Sequence, residues 1–213
     1  MITLSFELGA THLIGSEMFY EDLGGGNYLV TLKVYRECGP ANTQGTDFDD
    51  IIFLGVFGSA TNQLQQVDDV FLNFGTILDV PVVMTNPCGT PPPDLCVEEA
   101  TYTTTLTLGS SPAGYDIAWQ RCCRNPSISN LANAGGTDNP GMTATIHIPG
   151  TEETTTNNSS PVFQTFPPVA LCANFEFFFD NAAIDPDGDE LVYSLCAPFD
   201  GGGPNGGGGG FGS

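Results

Sequence analysis

The sequence predicts an all-β protein: a β-sandwich with a smaller second β unit after it. Three observations carry that prediction. Charged residues are only 14% of the chain, while 27 Gly and 16 Pro punctuate its 213 residues. A helical protein would carry more charge and fewer turn formers. Seven segments rich in β-branched and aromatic residues are separated by Gly, Pro and Asn turns. No segment makes a convincing helix; the best, Asn130–Gly136, offers one turn at most.

The strands follow in order. Glu17–Leu23 runs into three glycines and then Asn27–Cys38, which makes a hairpin. In the second segment Tyr28, Val30, Leu32, Val34 and Arg36 share one face, and Leu29, Thr31, Lys33 and Tyr35 share the other. That is the two-residue period of a strand. Asp50–Ser59 and Asp69–Pro81 come next. Glu99–Leu108 alternates Thr with Tyr and Leu, and Gly114–Cys123 and Met142–Gly150 complete the set. Seven such strands predict an immunoglobulin-like sandwich over residues 1–150. Residues 151–160 are polar, Thr-rich and unpatterned, and read as a linker. Residues 161–199 open a second β unit of three or four strands, too few to complete a sandwich alone. Residues 200–213 are a Gly-rich flexible tail.

Charge limits the partners. Four Lys and Arg face 25 Asp and Glu, a formal net charge of −21. Nucleic acids and anionic membranes need clustered basic residues, so neither is expected. No apolar run reaches about 18 residues, so no segment is expected to insert in a membrane. The N-terminus admits two readings: a first short strand, or the tail of a secretory signal ending at Ala10.

Seven cysteines with only two histidines, His12 and His147, and no pair of CxxC motifs point to disulfides rather than zinc. Disulfides and extreme acidity together predict an extracellular protein. Cys88 and Cys96 bracket a short Pro-rich loop, and Cys172 and Cys196 flank an acidic turn. Cys122 and Cys123 are neighbours on a strand, so they face opposite ways and need different partners. Cys38 pairs with one of them in this reading, which leaves one cysteine over. Seven cysteines in three bridges allow many patterns, and spacing alone does not choose among them.

The acidic turn is the sharpest motif. Asp185, Asp187 and Asp189 alternate with Pro and Gly, and Glu190 follows. Ca²⁺ takes six to eight oxygens, and alternate aspartates on a tight turn supply several from one side. Asn181 is a further oxygen donor nearby. The competing reading is a solvated acidic β-turn. Trp119 reads as core or as a sugar-stacking ring. Arg121 and Arg124 read as internal ion-pair partners or as a basic spot that docks an acidic neighbour. Catalysis is not expected: GxSxG, HExxH and phosphate-loop patterns are missing, and the Gly-rich tail has no Lys.

Two resemblances bear on function. "SSPVFQTFPP" followed by "IDPDGDELVYSL" resembles cadherin-like and bacterial surface repeats, which implies calcium at Asp185, Asp187 and Asp189. More widely, "MFYEDLGGGNYLVTLKVYREC", "YDIAWQRCCRN" and "ALCANFEFFFDNAAIDPDGDELVYSLCAP" resemble the N-terminal region of large secreted Bacteroidetes surface proteins. Those are exported by the type IX pathway, and many carry PKD-type repeats and a gliding-motility-associated sorting domain, neither of which is present here. The resemblance implies a non-catalytic structural or adhesive surface module, or a filament subunit, with other copies of itself or further domains as partners. The alternative is a module that binds carbohydrate or protein.

Overall fold

Period-2 patterning decides which side chains go inside. In the computed structural model, which describes residues 13–38, 48–82, 94–121, 124–125, 128, 141–154, 156–196, 199 and 201, nine strands form. They are β1 (Leu13–Gly24), β2 (Asn27–Glu37), β3 (Ile51–Gly58), β4 (Gln63–Asp79), β5 (Val97–Thr107), β6 (Tyr115–Arg121), β7 (Met142–Ile148), β8 (Val162–Phe163) and β9 (Ala183–Ile184). No described residue is helical.

The first seven strands make one antiparallel array in the order β1-β2-β5-β4-β3-β6-β7. Its two halves, β1-β2-β5-β4 and β3-β6-β7, are the strand sets of an immunoglobulin sandwich. Strand β4 links them. Its first part pairs with β3 from Gln63 to Phe71, and its last part pairs with β5 at Ile77–Asp79. Edge strand β1 also approaches β7, so the sandwich nearly closes on itself. Closure hides backbone groups that an open edge would expose.

Alternate residues fill the space between the halves. Val30, Leu32 and Val34 of β2 face Leu54 and Val56 of β3, Ile117 and Trp119 of β6, and Ile148 of β7 in one buried cluster. Each fully buried Leu or Ile contributes about 1.5–3 kcal/mol relative to exposure. The opposite face of β5 is a threonine row: Thr101, Thr103, Thr105 and Thr107 lie across from Lys33, Thr31, Leu29 and Asn27.

Turn chemistry matches the hairpins. Gly24, Gly25 and Gly26 all have positive φ at the β1–β2 turn, a region open to glycine at little cost. Tyr115, at the start of β6, donates its hydroxyl to the Gly109 carbonyl at 3.2 Å. This is the tyrosine corner that braces the same connection in immunoglobulin domains. The disulfide departs from that pattern. Cys38 and Cys96 are bonded, with Cα atoms 5.0 Å apart, and join the end of β2 to the approach of β5 within one sheet.

Beyond residue 150 the expected organisation changes. Residues 151–160 are not a free linker. Ser159 and Ser160 are buried, and Ser160 is hydrogen-bonded along β1. Residues 161–199 form only the two-residue pairing of β8 with β9 among the described residues. Cys172 is their one buried apolar residue. The rest is an arm that carries no ladder among the described residues; its stretch 163–167 lies against the outer face of β1 and β2, where Phe166 meets Tyr35 edge-on at 6.0 Å and lies under the Lys33 ammonium at 5.4 Å.

Candidate functional site

The acidic turn and the β1 edge meet through three short polar residues. Asp185 Oδ1 accepts the N–H groups of Asp187 at 2.9 Å and Asp189 at 3.2 Å, which shapes the turn. The Ser159 N–H then donates to Asp187 Oδ2 at 2.6 Å, and the Asn158 amide donates to Asp189 Oδ2 at 3.1 Å. On the other side Ser160 and Tyr20 exchange hydrogen bonds. Ser160 N–H donates to the Tyr20 carbonyl at 3.0 Å, and Tyr20 N–H to Ser160 Oγ at 2.8 Å. Tyr20 Oη donates to Asn158 Oδ1, and the Asp22 N–H to Ser159 Oγ. Residues 158–160 therefore clamp the acidic turn to β1. Burial pushes the Tyr20 pKa up, and Tyr28, Asp22, Asp187 and Asp185 add to the shift, so its hydroxyl stays a donor.

The expected calcium ligands separate. Asp185, Asp187 and Asp189 share the turn, and each keeps one carboxylate oxygen with no hydrogen-bond partner among the described residues. Glu190 is exposed and has no such partner either. Asn181 is not at the turn; it lines a different groove, with Glu17, Lys33 and Phe166. No three His, Cys, Asp or Glu among the described residues are grouped to enclose a metal ion by themselves. The turn thus offers a partial set of oxygens, which fits Ca²⁺ only with water in the remaining positions.

The cysteine pairings are corrected. Cys96 bonds Cys38 rather than Cys88, and Cys38 therefore does not take Cys122 or Cys123. Register is the reason: Glu37 lies opposite Val97, so the next residues, Cys38 and Cys96, meet. Cys172 is disulfide-bonded, but not to Cys196, which is free and exposed. Cys88, Cys122 and Cys123 lie outside the described residues. Residues 1–12, with the signal-tail reading, and most of the tail also lie outside.

The weaker binding candidates are engaged inside. Trp119 is 2% exposed within the core, so its ring presents no stacking surface. Arg121 is buried and pairs with Asp49 at 2.8 Å. Burial raises the Asp49 pKa, Arg121 pulls it down, Asp50 pushes it up, and the balance is upward. Arg124 donates to the Gly141 and Phe199 carbonyls. Lys33 pairs with Glu17 and Glu99, and Arg36 with Glu98 at 2.7 Å. All four basic side chains are thus committed within the chain.

One cluster was not foreseen. His147 on β7 lies between Asp116 on β6, 2.8 Å from Nδ1, and Glu153, 2.9 Å from Nε2. Burial lowers its pKa, but the hydrogen bonds and charges of Asp116 and Glu153 outweigh that and raise it. Period-2 alternation placed His147 on a strand; only the cross-strand pairing and the turn at 151–153 supply its acids. Ser59 Oγ, 3.3 Å away, shares Nδ1 with Asp116, which is not the arrangement of a nucleophile activated by a base.

Compared with family models, curated proteins and solved structures, the chain matches none.

Proposed function

We propose that the chain is a non-catalytic structural or adhesive module of the extracellular cell surface, stabilised by disulfides and Ca²⁺. The observation that carries this reading is the clamp at Asn158–Ser160, which binds the acidic turn to the edge of the sandwich. A joint of that kind fixes one segment against another and positions no reactive group. Ca²⁺ adds to the joint by neutralising the aspartates at 185, 187 and 189 and using their spare oxygens. Extracellular modules with incomplete oxygen sets bind it at roughly 10⁻⁴–10⁻³ M.

The arm supports an assembling role. Phe178, Val192 and Leu195 are 84%, 90% and 103% exposed. Apolar side chains left in water supply area that a partner can cover. In this reading the partners are other copies of the chain or further domains of a longer type IX-secreted surface protein, as in a filament.

Thermal unfolding in Ca²⁺ and in EGTA tests the calcium part. A higher melting temperature in millimolar Ca²⁺, lost in Asp187→Ala, is expected. Equal melting in both buffers with a silent Asp187→Ala removes calcium from the account. Light scattering without reductant tests assembly: a multimer supports a building block, and a monomer in both buffers removes the filament reading.

A further inference from the structure

A cleft lies at one end of the sandwich, apart from the acidic turn. Its volume is about 380 Å³, within the size range of small-ligand sites, roughly 300–1,000 Å³. Three connections build it: the β1–β2 turn, the β5–β6 loop and the segment after β7. They are tied together by backbone. Leu108 N–H donates to the Gly26 carbonyl at 2.8 Å, Thr151 N–H to Ser111 at 3.1 Å, and Glu152 N–H to Pro112 at 3.0 Å. Glycines make the close approaches. A Cβ on Gly26 would sit 2.5 Å from the Leu108 oxygen, and one on Gly114 2.1 Å from the Ile148 oxygen. The cleft is therefore formed before any ligand arrives, which lowers the cost of binding.

Its chemistry is selective. Two half-buried tyrosine rings, Tyr28 and Tyr115, line it. Tyr115 spends its hydroxyl on Gly109. The Tyr28 hydroxyl, the Ser110 and Thr151 hydroxyls and the Asn157 amide have no hydrogen-bond partner among the described residues. Asp22 is the one charged lining residue, and its two oxygens accept the N–H groups of Gly24 and Asn158. No Lys, Arg or His lines the cleft.

We propose that this cleft binds a neutral carbohydrate. Ring faces pack against the apolar C–H face of a sugar, while unspent hydroxyls and an amide at the rim match its O–H groups. An anionic ligand would meet Asp22 with no cation to offset it. A wholly apolar ligand would strand the open hydroxyls without partners. The proposal does not rest on calcium or on assembly, so it stands or falls separately from them.

The test is calorimetric titration of the disulfide-intact chain with maltotetraose, cellotetraose, xylotetraose, mannotetraose and laminaritetraose, and with sialyllactose as an anionic control. Saturable binding of at least one neutral tetrasaccharide, and none of sialyllactose, is expected. Tyr28→Phe keeps the ring and removes the hydroxyl; Asn157→Ala changes an exposed side chain that the fold does not use. Each is expected to weaken binding about tenfold, the equivalent of roughly 1.4 kcal/mol for one lost hydrogen bond. The proposal is overturned if no neutral tetrasaccharide binds at millimolar concentration. Binding that both variants leave unchanged overturns it equally, because the sugar then sits elsewhere.

Discussion

Ser160 and Tyr20, 140 positions apart in sequence, are joined by three hydrogen bonds: Ser160 N–H to the Tyr20 carbonyl at 3.0 Å, Tyr20 N–H to Ser160 Oγ at 2.8 Å, and Ser160 Oγ to the Tyr20 carbonyl at 3.3 Å. Both residues are buried, so none of these bonds is replaced by water when lost. Ser160→Ala removes the acceptor for a buried N–H and is expected to cost about 1–2 kcal/mol. Chemical denaturation measures the loss. Limited proteolysis should also cut the arm after residue 160 sooner in the variant than in the parent. A variant as stable and as resistant as the parent would show that the clamp contributes nothing.

The Cys38–Cys96 bridge closes a separation of 58 residues. Restricting the unfolded chain over such a loop is worth about 2–4 kcal/mol. Replacing both cysteines by Ser should lower the unfolding free energy by that amount and raise the denaturant slope, because the freed unfolded chain expands. The neighbouring β2–β5 ladder is long, so the fold itself should persist.

Stability should depend on His147 near neutral pH. The folded pKa is raised above the unfolded value, so the charged imidazole stabilises the native state. That contribution is complete below the unfolded pKa, about 6.5. It fades as pH rises through the higher folded value. His147→Gln should flatten the melting temperature across that interval. Because His147 is 41% exposed on its side chain, solvent screens the pair and the effect should be small.

Core packing gives a prediction of larger size. Leu54 is 1% exposed between the sheets. Leu54→Ala should cost about 2–5 kcal/mol through lost burial and the cavity left behind. Phe178→Ser, on the 84% exposed arm, should change monomer stability little and lower any self-association seen by light scattering.

The sandwich was legible because alternation is local. Val30, Leu32 and Val34 declare one buried face within five residues, and the Gly24–Gly26 run declares the hairpin. The start of β4 was not legible: Gln63, Gln65 and Gln66 lack the apolar alternation of a strand, and Gln63 and Gln66 pair with Gly58 and Val56 of β3, with Gln65 skipped at a bulge, because the hairpin at Ser59–Asn62 extends the ladder. The disulfide needed the register of β2 against β5, a relation across 58 residues that spacing does not carry. Residues 158–160 read as linker for a similar reason. Short polar side chains look solvated in sequence, yet Asn and Ser also satisfy backbone groups of a distant strand. The acidic turn was visible at Asp185, Asp187 and Asp189, but its partners Asn158 and Ser159 lie far from it in sequence.

The most direct test of the account is amide hydrogen exchange at Tyr20, Ser159 and Ser160, measured in millimolar Ca²⁺ and in EGTA. A clamped joint predicts slow exchange at all three amides, slower still with Ca²⁺ and faster in Asp187→Ala. Exchange at the rate of an open loop in both buffers would contradict it, because the acidic turn would then not be held to the sandwich at all.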